Sequence, residues 1–372
     1  MTRMTRFMHC SIRRLALAIL TCIAMPAVSQ TGTAPRDLSQ WDLTCFCSIA
    51  DDSPQALIHA DNNGQILYYA RSGMTRSQLE QAAGRPIPIS QLQALVDWNL
   101  LRKEGEVYTT AIPLLDANQT SELRARMRAA AARIEPELVP EVRKISVQLE
   151  REGHSAQLYS IVFSYVLDGL TWKDLNASHA LATPKLSIEH PFWDGTFWAT
   201  YPARSFRVGT NANEPDPGSG IEAQITWTKP VLDRVHDLER AKGLRDVLHR
   251  AAAGNCKGLS VEDEKQEVWK LGSDDGRCAF PVIREDAGSP INAAGRRMAS
   301  EIAETVRGND VRDLIGGGVT AEQAHVIETH ELIWEVLDLL EHDHSIIRPA
   351  ALDSGGSTDD VLGLFFVTIR KR

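Results

Sequence analysis

The sequence predicts a mainly helical α+β protein in which a small aromatic-rich β insertion interrupts a helical body. Three observations carry that expectation. From Asp116 the composition turns to Ala, Arg, Glu and Leu, as in long amphipathic helices. Residues 186–228 drop that pattern for closely spaced aromatics punctuated by glycine. Near the C-terminus, Val361 to Ile369 has the length and Val/Phe/Ile content of a buried strand.

At the N-terminus, Arg3, Arg6, Arg13 and Arg14 flank and precede the apolar run Leu15 to Met25, followed by Pro26 and the small residues Ala27-Val28-Ser29. A secretory signal has this order, and the run is shorter than the roughly 20 residues a spanning helix needs. Residues 1–29 are therefore expected to be removed, leaving a periplasmic or secreted chain. Of 372 residues, 40 are basic and 49 acidic, and the signal carries four of the basic ones. The mature charge becomes −13. So acidic a body does not gather polyanions, which argues against nucleic acid as a partner. No second apolar stretch approaches membrane-spanning length. Four cysteines remain after cleavage: Cys45, Cys47, Cys256 and Cys278. An even number in an oxidising compartment favours two disulfides. Cys256–Cys278 with Cys45–Cys47 is the preferred pairing; the alternatives join Cys45 and Cys47 each to a distal cysteine.

Residues 55–70 read as a hairpin about the turn Asp61-Asn62-Asn63-Gly64. Thr75 can cap a short helix over Arg76–Ala83, and Gly84-Arg85-Pro86 breaks it. A second helix follows from about Ser90 to Trp98. Leu100–Lys103 and Val107–Thr110 then flank Glu104-Gly105-Glu106 as a tight hairpin. Helix, turn, helix and two-stranded wing over residues 74–112, with the echo Leu95-Val96-Asp97-Trp98-Asn99-Leu100-Leu101, resemble the winged helix-turn-helix superfamily. In members that bind DNA, the second helix enters the major groove and the wing touches phosphate. Here Ile89–Trp98 contains no Lys or Arg and carries Asp97, and Met74–Ile112 has no net charge. The winged-helix-like module is thus expected to pack against another surface, not DNA.

Asp116 with Gln119 has capping-box spacing, predicting a helix to Ile134. Pro136 is expected to end it and Pro140 to open another, to about Glu152. Arg124, Arg126, Arg128 and Arg133 form a basic stripe expected to face solvent. His154–Leu167 reads as a third helix, apolar on several faces. Phe192, Trp193, Phe197, Trp198, Tyr201 and Phe206 fall within 15 residues, with a long loop at Asn211–Gly220. The strand Ile221–Trp227 is expected to return against this aromatic segment. Helices follow at Val231–Ala253 and near Ala293–Arg307, with a hairpin about Gly272–Gly276 between them. A last long helix starts at Thr320, which with Gln323 again has capping-box spacing. Five segments result: the signal (1–29), an N-terminal hairpin and winged-helix-like module (30–115), a helical region (116–185), an aromatic-rich β/loop region with helices and a cysteine-flanked loop (186–290), and a C-terminal helical lobe with a terminal strand (291–372).

No catalytic set is complete. His325 and His330 are five residues apart and diverge on a helix, and Trp334 stands where a zinc-protease helix needs its second histidine. Ser354-Gly355-Gly356-Ser357 lacks a nucleophile elbow, and Gly316-Gly317-Gly318 lacks the Lys-Ser/Thr of a phosphate loop. No metal or cofactor is expected. The aromatic segment is the best ligand candidate: Trp193, Trp198 and Tyr201 as flat apolar faces, with Asp194, Arg204 and Arg207 as polar anchors. The expected function is non-catalytic binding of a small molecule or a protein partner. One alternative is an envelope hydrolase using Asp194, His190, His325 and His330. Another is a cytoplasmic winged-helix regulator, should residues 1–29 be no signal.

Overall fold

The computed structural model describes residues 34–181, 183–316 and 318–370, so the signal expected at 1–29 lies outside them. The chain is α+β and mainly helical. In its N-terminal part, β1 (Asp42–Ile49) leads to α1 (Pro54–His59), capped by Ser53, and α2 (Asn63–Ala70). The hairpin expected over residues 55–70 is therefore a pair of helices. Asn-Gly misleads here because Gly64 serves close packing: a Cβ on it would collide with Asp37 Oδ1 and the Ser39 amide. Then come β2 (Met74–Thr75), α3 (Arg76–Ala83), α4 (Ile89–Asp97), β3 (Leu101–Glu104), β4 (Val107–Thr110) and the short β5 (Leu114–Leu115). Thr75 and Gln78 form a full capping box on α3. β2, β4 and β3 form one sheet in that order, antiparallel throughout. Leu67, Leu79, Leu92, Leu95 and Tyr108 close a core beneath them.

A single 36-residue helix, α5 (Ala117–Glu152), replaces the two helices expected around Pro136 and Pro140. Both prolines lie on its exposed side, where water can take the carbonyls they leave unpaired. Leu123, Met127, Ile134, Leu138 and Val142 form its buried stripe. Packing of that stripe outweighs a proline penalty of about 3 kcal/mol each. The third expected helix is real but runs on to residue 177. It comprises α6 (Leu158–Ser160), a π-helical stretch over Ile161–Leu170, and α7 (Thr171–Ala177).

The aromatic segment forms β6 (Trp193–Thr200), antiparallel to β1 over eight paired positions and parallel to β5. Alternation along β6 sends Trp193 and Phe197 into the N-terminal core and Trp198 into the main core. The expected loop at 211–220 contains most of β7 (Gly209–Asn213), which pairs with β8 (Ile221–Trp227). β8 therefore does not return on β6. Gly209 permits this pairing, because a Cβ there would press into the Trp227 indole at 2.7 Å.

The helices expected over Val231–Ala253 are α8 (Leu232–Glu239) and α9 (Leu244–Ala252). Next are the paired β9 (Ser260–Glu262) and β10 (Val268–Lys270), then β11 (Val282–Arg284). The hairpin expected about 272–276 is present as a tight turn: the Ser273 amide donates to the Arg277 carbonyl at 2.9 Å, the Ala279 amide to the Leu271 carbonyl at 3.0 Å, and Gly272 bridges Cys278. α10 (Pro290–Gly308), α11 (Arg312–Ile315) and α12 (Ala321–His342) follow, and α10 and α12 both pack on α5. α13 (Ala351–Ser354), α14 (Thr358–Leu362) and β12 (Phe365–Ile369) complete the chain, and β12 lies centrally in the sheet β11-β12-β8-β7. Disulfides join Cys45 to Cys47 and Cys256 to Cys278. Cys45 and Cys47 share one face of β1, with Cα atoms 5.5 Å apart, inside the usual disulfide range. No helix among the described residues is long and apolar enough to cross a membrane.

Candidate functional site

A cavity of about 600 Å³ opens where the start of β1, the segment 204–209, the end of β8 and the middle of α12 meet. Asp42, Arg204, Arg207, Lys229 and His330 supply its polar lining, while Leu43, Val208, Trp227 and Trp334 supply apolar walls. Of the six expected ligand residues, the structure brings Arg204 and Arg207 here together. Trp198 is buried behind them, its ring edge-on to His330 with centroids 5.2 Å apart. Trp193 is buried elsewhere and donates from Nε1 to the Trp98 carbonyl at 2.6 Å. Asp194 accepts from the Lys185 amide at 2.7 Å, and Tyr201 packs on Trp41. The two tryptophans therefore offer no exposed face, because β6 is a wall shared by two cores.

Arg204 is held in place by charge. Its Nη2 donates to Glu331 Oε2 and Glu335 Oε1, both at 2.8 Å. Arg124 on α5 donates to Glu331 Oε2 at 3.0 Å, and Arg128 lies 2.8 Å from Glu335 Oε2. Within the basic stripe Arg128 and Arg133 are exposed, as expected of a solvated face, while Arg124 is drawn inward; Arg124 and Arg128, four apart, meet Glu331 and Glu335, four apart, across two packed helices. Glu331 and Glu335 are almost wholly buried. Burial would raise the Glu331 carboxyl, yet a hydrogen bond from His330 and the charges of Arg204 and Arg124 hold it well below the carboxylate range. Arg207 is exposed and pairs with buried Asp42. Lys229 at the rim is exposed.

His330 has both ring nitrogens engaged. Trp334 Nε1 donates to His330 Nε2 at 3.3 Å, so Nδ1 carries the proton and donates to Glu331 Oε1 at 3.2 Å. Asp168, on the π-helical stretch, accepts from Trp172 Nε1 at 3.2 Å. Burial raises its carboxyl above the ordinary range, against hydrogen bonds from Thr210 and Trp172. The other residues named for a hydrolase lie apart from this cavity. His325 Nδ1 bonds the Ala180 carbonyl, and His190 is 4.0 Å from Asp194 on an exposed turn. Among the described residues no group of three or more His, Cys, Asp or Glu side chains could hold a metal ion.

Sequence reasoning missed Asp42, Trp227, Lys229 and Trp334. The matched spacing of Arg124/Arg128 with Glu331/Glu335 was a readable signal for a helix pair. The convergence of β1 and β8 on α12 had none. Comparison with family models, with curated proteins and with solved structures finds no match for this chain.

Proposed function

We propose that this is an exported, non-catalytic binding protein whose cavity between β1, segment 204–209 and α12 takes a small ligand with an anionic group beside a flat apolar body. The observation that carries this reading is the presence, in one cavity of about 600 Å³, of exposed Lys229 and of Arg207, whose charge is shared with Asp42, beside the indole walls Trp227 and Trp334. Guanidinium and ammonium groups suit a carboxylate or phosphate, and indoles suit a ring. Against a catalytic role, His330 has neither nitrogen free to take a substrate proton, and Glu331 is committed to three cationic or donor partners. Export is supported by the two disulfides, which persist in oxidising compartments.

In this reading residues 74–112 are a winged-helix-like module serving as a packing unit. The order β2-α3-α4-β3-β4 and the antiparallel pairing of its strands support it. Its chemistry does not suit DNA: Asp97 and Gln93 pair on α4, and Arg102 on the wing sits 3.7 Å from Glu104. Titration calorimetry with benzoate, phenyl phosphate and benzyl alcohol tests the ligand site. The two anions are expected to bind and the alcohol not, and R207Q/K229Q to weaken the anions about tenfold or more. Equal binding of alcohol and anions, or affinity indifferent to R207Q/K229Q, would overturn the reading.

A further inference from the structure

A second cavity, of about 330 Å³, sits at the opposite end of the β7–β8 pair. Where the first is reached at Gly209 and Trp227, this one is reached at Asn213 and Ala223, four residues along each strand. Its floor is apolar: Ala223 and Ile225 of β8 with Phe365 of β12, walled by Leu238 and Leu248 of the covering helices. Three charged side chains stand at its lining, Glu214, Glu239 and Arg245. The cation is already committed, since Arg245 lies 2.6 Å from Asp216 Oδ1 and donates from Nε to Oδ2 at 3.1 Å. The two carboxylates are not matched by any other cation of the lining.

Glu239 is oriented from beneath. Trp227 Nε1 donates to Asn211 Oδ1 at 2.9 Å, and Asn211 Nδ2 donates to Glu239 Oε1 at 3.0 Å. Glu239 Oε2 has no hydrogen-bond partner among the described residues. Glu214 is fixed similarly, its Oε1 accepting from the Gly220 amide at 2.7 Å. That bond, with smaller contributions from the Gly218 backbone, the charge of Arg370 outside the lining and the Ser219 side chain, keeps the Glu214 carboxyl below its ordinary range and so ionised at neutral pH. An apolar floor with two positioned carboxylates at its mouth, on a chain of net charge −9, is complementary to one kind of small molecule.

We infer that this cavity is a binding site for a small organic cation, an alkylammonium whose hydrocarbon part fills the floor over Ile225 and Phe365 while its ammonium group meets Glu239 and Glu214. The site shares no lining residue with the cavity of Arg204 and Arg207, so the two proposals stand or fall separately.

Calorimetry on the purified chain with n-hexylammonium, hexan-1-ol and hexanoate tests it. Hexylammonium is expected to bind about tenfold or more tightly than hexan-1-ol, with hexanoate weakest. E239Q keeps the acceptor for Asn211 but removes the charge, and is expected to abolish most of the preference for hexylammonium while sparing hexan-1-ol. L244W, which fills the cavity from its partly exposed wall, is expected to remove binding of both; circular dichroism melts matching the parent show that each variant is folded. Equal affinity for amine and alcohol, a preference unchanged in E239Q, binding retained in folded L244W, or no binding at all would each overturn the assignment.

Discussion

Glu328 is a buried carboxyl whose charge the surrounding structure does not match. It is fully buried on α12, and neither carboxylate oxygen has a hydrogen-bond partner. Burial, only partly offset by the neighbouring Asn309 side chain and reinforced by the charge of Asp310, pushes its carboxyl up to about 7, from an ordinary value of 4.5. Between those two pH values the folded chain holds a proton that the unfolded chain releases. Its contribution to stability is therefore undiminished below pH 4.5, falls as pH rises through the window, and leaves the full penalty above 7. E328Q is expected to stabilise the protein by about 2–3 kcal/mol at pH 8 and by almost nothing at pH 4, read from urea unfolding of variant and parent at both values. The sequence hides this group well: Glu328 lies in a histidine- and glutamate-rich stretch that reads as a polar face. Only the packing of α12 under two other helices shows that it points inward.

The element that orders the site is α12, and its grip depends on three arginines from elsewhere. Arg124 and Arg128 reach it from α5 and Arg204 from the segment after β6. R204A leaves Glu331 and Glu335 buried with less compensation, so a loss of about 3–5 kcal/mol is expected in denaturant unfolding. R204K is expected to recover only part of it, because an ammonium cannot reproduce the planar fork. α5 offers the opposite test. Pro136 and Pro140 are exposed within a continuous helix, so P136A and P140A are each expected to stabilise by about 1–3 kcal/mol, measured as a rise in denaturation midpoint. A helix broken at Pro136, as local rules predict, would gain nothing from P136A. The capping boxes at Thr75, Asp116 and Thr320 were legible because a cap is decided by four consecutive residues. The proline break was misread because what overrides it, the buried stripe against α10 and α12, is remote in the chain.

At the scale of the whole molecule, the Cys256–Cys278 disulfide closes a loop with a sequence separation of 22 residues. Replacing both cysteines by alanine is expected to lower stability by about 3 kcal/mol in the chain-entropy account, checked by unfolding with and without reductant. The acidic body and the paired charges of the module predict no salt-sensitive retention on duplex DNA in a gel-shift titration. Local sequence and composition determined much of this protein: the α+β class, the capped helix starts at Thr75, Asp116 and Thr320, the strands β3, β4 and β12, the net acidity and the favoured cysteine pairing. Each of these rests on residues adjacent in the chain or on sums over it, which need no knowledge of neighbours in space. Tertiary structure alone decided that the aromatics of β6 are walls between two cores, that Gly64 and Gly209 admit close approach, and that Asp42, Arg207, Trp227 and Trp334 line one cavity. Burial and convergence depend on which distant segments meet, and the free energy that decides it is spread over the whole core.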